Sequence, residues 1–185
     1  MSPYRPMDGH APTDPALLAR PLDFIQQDHY REREICGVLD RAAALLPCSK
    51  PELEDALAFV ACELPLHLSD EEEDLFPLMR RRCTREDDID RVIARLREDH
   101  GHAATDAARI AALLRLLLAV GRMALPGEGV ELARFARHAR RHLIVENAII
   151  LPLARARLTL SDLRSLALRM AARRGIMLDM DTVTC

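Results

Sequence analysis

The 185 residues carry 26 basic and 29 acidic side chains, a formal charge of -3, so no global field points to nucleic acid or to an anionic membrane as a partner. Hydrophobic residues make up 49% but aromatics only 3%, with no Trp, and Ala, Leu and Arg recur throughout, which favours packed helices in one all-α domain over sheets. Five cysteines (Cys36, Cys48, Cys62, Cys83 and Cys185), an odd count without CxxC spacing, argue against a disulfide framework or a zinc ribbon and suggest free thiols in a reducing compartment.

Residues 1–20 hold four prolines and few apolar residues, which predicts a flexible N-terminal arm with a short helical start near Ala16. The arm has no apolar core of the secretory kind, and no apolar run reaches the roughly 18 residues of a membrane span, so a cytoplasmic protein without a membrane partner is expected.

Pro21 can occupy the first turn of a helix, and Leu22, Ile25, His29, Cys36 and Leu39 follow helical spacing toward Leu46. Glu52 to Cys83 reads as a second helix, kinked at Pro65 and Pro77. Thr84, with Asp87 three residues on, suggests the cap of a third helix from Glu86 to Val120. The segment Gly121 to Gly129 reads as a loop, Val130 to Leu158 as helix four with Pro152 near its end, and Ser161 as the cap of a short fifth helix ending at Gly175. Residues 176–185 form the tail. The runs Arg80 to Arg82 and Arg173 to Arg174 fall at helix ends, where cations suit the macrodipole.

The two halves repeat one another in their polar residues. His67, Glu71, Leu75 and Pro77 recur as His142, Glu146, Ile150 and Pro152, each 75 positions later, and each set is preceded by a lone histidine, His29 or His100. A repeated helix pair suggests a bundle with an approximate two-fold axis. Residues four apart share a helix face, so each HxxxE presents an imidazole and a carboxylate to one point. Two metals sharing two carboxylates, each with two histidines, suit non-heme iron; zinc and manganese accept the same donors. Four imidazoles and two bridging carboxylates fill about eight of the roughly twelve positions of two six-coordinate ions, leaving room for exogenous ligands.

His138 and Glu63 each lie four residues before a ligand histidine, and either could add a ligand or instead stand beside the centre as a polar neighbour. Ala103, Ala104 and Ala107 leave space near His100, and Cys36 reads as a core thiol. His10, Tyr4 and Tyr30 offer no convincing ligand, and His102 points to another side from His100.

The pattern H … HxxxE … H … HxxxE, with the strings HLSDEEEDLFP and HLIVENAIILP, resembles the hemerythrin, or HHE cation-binding, family over about residues 21–175. The resemblance implies an up-down four-helix bundle of the hemerythrin type with a short additional C-terminal helix. It implies a metal set of His29, His67, Glu71, His100, His142 and Glu146, holding two Fe ions with an oxo or hydroxo bridge. Ferritin-like bundles instead use Glu-x-x-His, which does not occur here.

Ala104 stands where oxygen carriers resembling this pattern have a fifth histidine, which moves the likeness toward six-ligand relatives that include iron–sulfur repair proteins and sensors of oxygen, nitric oxide or redox state. The expected partner is a small diatomic or peroxide, and a homodimer is left open. A sensor, scavenger or store is favoured over an enzyme such as an oxidase, a peroxide-removing or a cluster-repair protein, and over a pure scaffold.

Overall fold

A computed structural model describes residue 9 and residues 11–179; His10, Tyr4, Cys185 and the outer parts of the arm and tail lie outside the described residues. The described chain is helical, without strands. Helix α1 spans Pro21–Ala43, and its proline sits in the first turn as expected. A composite second rod joins α2 (Lys50–Ala58), α3 (Leu64–Ser69) and α4 (Phe76–Arg82) through wide π-turns at Phe59–Glu63 and Asp70–Leu75. Helix α5 is Ile89–Val120. The fourth rod is α6 (Pro126–Val145) and α7 (Leu151–Arg157) joined by a π-turn at Glu146–Ile150, and α8 is Leu160–Arg173. Helix α1 packs on α6 and α2, and α5 packs on α6 and α2, so the four rods close around a shared interior.

Several boundaries differ from those read off the sequence. Helix α1 stops at Ala43, and Leu45 turns the chain with a φ of 56°. Ser49 and Glu52 form a reciprocal cap that starts α2 at Lys50, ahead of Glu52. Thr84 and Asp87 do pair, but around a single 3-10 turn, after which Asp88 at a φ of 46° redirects the chain and α5 begins only at Ile89. Thr159, not Ser161, caps α8, because its hydroxyl accepts from the backbone N–H of Asp162.

The segment expected as a loop up to Gly129 is helical from Pro126, and Gly129 is used for contact. A Cβ there would lie 2.7 Å from the carbonyl oxygen of Ala43, so its absence lets α6 approach α1. Gly129→Ala should therefore lower stability by about 1–3 kcal/mol despite the better helix propensity of alanine, because the backbone oxygen cannot yield. Urea unfolding of the variant measures this directly, and an unchanged or raised midpoint would mean the rods can part freely.

The prolines that suggested kinks explain the π-turns. Pro65, Pro77 and Pro152 each occupy the second position after a π-turn, where the ring lacks an N–H and would crowd the carbonyl four residues back in a regular helix. Widening the preceding turn relieves that crowding. The N–H of Phe76 reaches the carbonyl of Glu71, and that of Leu151 reaches Glu146, so the turns recur 75 positions apart with the repeat.

The segment expected as an arm packs from Thr13 onward: Pro15–Ala19 is a 3-10 turn and Leu18 is fully buried. Ile176 and Leu178 of the tail pack partly against the same core. Arg173 and Arg174 do more than decorate a helix end. They reach from α8 to Asp70 and Asp74, which flank Glu71, with Arg174 Nη2 2.6 Å from Asp70 and Arg173 Nη2 2.7 Å from Asp74.

Candidate metal centre

The interior has two hydrophobic clusters, one around Ile35, Leu39, Phe59, Leu114 and Phe135, the other around Leu22, Ile25, Phe76, Leu96 and Leu166. A polar layer occupies the middle of the bundle: His29, His67, Glu71, His100, His142 and Glu146 are all buried, the two glutamates completely. Ionisable groups are placed there only when something compensates their lost hydration.

Their geometry is convergent. His29 Nε2 lies 3.7 Å from Glu71 and 3.4 Å from Glu146, His67 Nε2 is 3.6 Å from Glu71, and His142 Nε2 is 2.9 Å from Glu146. His100 Nε2 is 3.5 Å from Glu71, 3.6 Å from Glu146 and 3.1 Å from His142 Nε2. Two sets of four result, His29–His67–Glu71–Glu146 and Glu71–His100–His142–Glu146, and within each the donor atoms lie within 4.8 Å of one another. Both carboxylates belong to both sets, so each can bridge two ions.

The outward nitrogens set which ring atom faces inward. Asn147 Nδ2 donates to the carbonyl of Leu143, leaving its Oδ1 to accept from His29 Nδ1 at 3.2 Å. His100 Nδ1 donates to Glu72 at 2.9 Å, and His67 Nδ1 lies 3.4 Å from Asp28, which Thr13 holds by a hydroxyl hydrogen bond. With the proton on Nδ1, the Nε2 lone pair points to the centre, as metal ligation requires. Asp28, Glu72 and Asn147 are invisible to a search for ligand spacing, because each pairs with a histidine on another rod.

Hydrogen bonding alone does not satisfy the layer. Nε2 of His29 and His67 and all four carboxylate oxygens of Glu71 and Glu146 are buried without a hydrogen-bond partner. Burial opposes charge on His67, yet Glu71, Asp28 and Glu146 outweigh it and hold its pKa well above the ordinary imidazole value. Burial likewise opposes charge on His142, which Glu146, Glu71 and Glu32 still push up to about 9. For Glu146, burial is outweighed by His142, His100 and His29, which hold its carboxyl well below the usual range. Buried imidazoles that hold protons this strongly, beside a carboxylate kept in its charged form, are a donor set for a cation.

Glu63 and His138 stand outside both sets. Glu63 receives the guanidinium of the buried Arg31, 3.2 Å away, which also binds Asp55 at 2.7 Å, so its charge is already matched. His138 Nε2 lies 3.3 Å from Asp99 at the edge of the bundle. Ala104 is exposed; Ala103 instead lines a small cavity beside His142. Cys36 is buried in the core, where burial pushes its thiol pKa up and leaves it inert. A residue that spacing did not single out is Glu32, one turn beyond His29 and only 4% exposed, whose carboxyl is raised by burial and only partly drawn back by His67 and His142.

No curated protein and no solved structure matches the chain. The profile of the hemerythrin HHE cation-binding domain matches residues 20–154, which include all six convergent residues, the second rod and the fourth rod as far as Ala154. With that match and the buried histidine–carboxylate cluster, the chain belongs to the hemerythrin HHE cation-binding domain family.

Proposed function

We propose that the protein is a non-heme di-iron protein on an up-down four-helix bundle, reacting with dioxygen, nitric oxide or peroxide as a sensor, scavenger or store. The observation that carries this reading is the convergence of four imidazole Nε2 atoms on two fully buried carboxylates. His29, His67, Glu71 and Glu146 would hold one ion and Glu71, His100, His142 and Glu146 the other. An iron pair so bound supplies open positions for a small ligand and one-electron steps between ferrous and ferric states.

The chain's own contribution is orientation and exclusion. Asn147, Asp28 and Glu72 hold three imidazoles with Nε2 inward, and the apolar clusters on either side exclude bulk water. Ala104 adds no donor, and among the described residues the four imidazoles and two carboxylates make up the two convergent sets.

Anaerobic reconstitution with ferrous iron should give about two ions per chain, and stopped-flow mixing with oxygen or nitric oxide should change the optical spectrum in one lasting step. At most one ion per chain would overturn the bridged arrangement. An unchanged spectrum would remove the redox role, and many turnovers with an added reductant would make the protein an enzyme.

A further inference from the structure

The side of the centre facing His142 differs from the others. His142 is the most exposed of the four imidazoles, at 7%; neither its Nδ1 nor that of His67 makes a hydrogen bond, but Asp28 lies 3.4 Å from His67, and Asn147 and Glu72 bond His29 and His100. Beside it is a cavity of about 10 Å³, room for about one water molecule, lined by Glu32, Asp99, Ala103, His138 and His142 among apolar side chains. At its outer end His138 and Asp99 pair, their side chains 29% and 28% exposed, and His102 stands edge-on with its ring 6.4 Å from that of His138. At its inner end are His142 and the Glu32 carboxylate, brought in from α1. Neither Glu32 nor Asp99 belongs to the two convergent sets.

We propose that this cavity is the loading path by which divalent cations reach the centre, with Asp99 and His138 capturing the ion at the surface and Glu32 receiving it on the way to His142 and Glu146. The inference rests on the two-metal reading above. A path is needed because Glu71 and Glu146 are fully enclosed, and a divalent ion that sheds its water on the way in faces a large loss of hydration unless donors replace it. The cavity supplies those donors in sequence: a carboxylate and imidazole outside, a carboxylate inside, then the least tethered ligand. Leu64, Leu68, Phe135 and Ala139 in its wall offer no competing side-chain donor, and Ala103 contributes only a methyl group, leaving the gap open.

The test is the rate at which metal-free protein takes up cobalt(II), followed by its visible absorption in stopped flow, with final content by elemental analysis. Glu32→Gln removes the inner charge, Ala103→Leu narrows the gap while keeping every carboxylate, and Glu131→Gln on the exposed face of α6 controls for loss of a charge. Both path variants should load about tenfold more slowly than wild type and the control, in keeping with a charged funnel. Both should end at the same cobalt content and spectrum as wild type.

Rates for Glu32→Gln and Ala103→Leu within about twofold of wild type would overturn the path. If Ala103→Leu fails to fold, Glu32→Gln decides alone. Glu32→Gln protein ending with less cobalt than wild type would make Glu32 a ligand and overturn its role on a path. Wild type that takes up no cobalt would overturn the two-metal reading itself, and the path with it.

Discussion

Alanine at Glu71 or Glu146 is expected to leave well under one metal ion per chain, while alanine at Glu63 or His138 should leave about two. Glu71 and Glu146 each belong to both sets of donors, so in the proposed two-ion centre removing one would deprive both ions of a negative ligand and leave four imidazoles around a single carboxylate. Glu63 is already neutralised by Arg31, and His138 faces Asp99, so neither loss touches the convergent layer. The expected contrast is read by elemental analysis after anaerobic iron loading and desalting. Equal metal retention in all four variants would sink the ligand assignment.

Stripping the metal should lower the melting temperature by about 10 °C. A site saturated at a thousandfold excess over Kd contributes about 4 kcal/mol, and each kcal/mol moves the midpoint of a chain this size by about 2–4 °C. The pH dependence of that gap follows from the imidazoles. In metal-free protein the raised His67 and His142 contribute stability that is fully present below their ordinary value of 6.5 and is lost as the pH rises through about 9 for His142. The depressed Glu146 contributes stability present above its ordinary 4.5 and lost as the pH falls through its folded value.

Metal-free protein should therefore be most stable between 4.5 and 6.5 and weaken toward pH 9. Metal takes the place of those protons and binds more tightly as they leave, so the loaded protein should not weaken in step. Thermal unfolding of both forms at several pH values tests this. A gap that stays constant from pH 6.5 to 9 would mean the imidazoles do not hold protons in the metal-free centre.

The HxxxE pairs and their repetition were legible because spacing along a helix fixes which side chains share a face. His67 and Glu71 need only local geometry to meet, and so do His142 and Glu146. The role of Arg31 was not legible. It meets Glu63 across 32 positions and Asp55 across 24, and only the packed rods make that pairing. The same holds for Asn147 opposite His29, 118 positions away, and for Arg173 opposite Asp74. The prolines announced disturbed helix at the right places, but a proline alone does not say whether the chain bends, breaks or widens. Thr84 shows the limit of a capping signal: the cap formed, yet Asp88 in the left-handed region ended the turn after Asp87.

The π-turns also bear on which length variants the fold would accept. In a regular helix, deleting one residue rotates everything downstream by roughly 100° and would swing Leu75, Phe76 and Met79 out of the core. Each wide turn beside Glu71 and Glu146 carries one residue more than a regular turn, so losing Glu73 or Ala148, both exposed, would shorten it to ordinary pitch with both flanks still in phase. The cost would be local, about 3 kcal/mol where the ring of Pro77 or Pro152 meets the newly opposed carbonyl. A single-codon deletion that would be ruinous in the regular stretches of these rods is thus survivable at the wide turns, two of which lie next to Glu71 and Glu146.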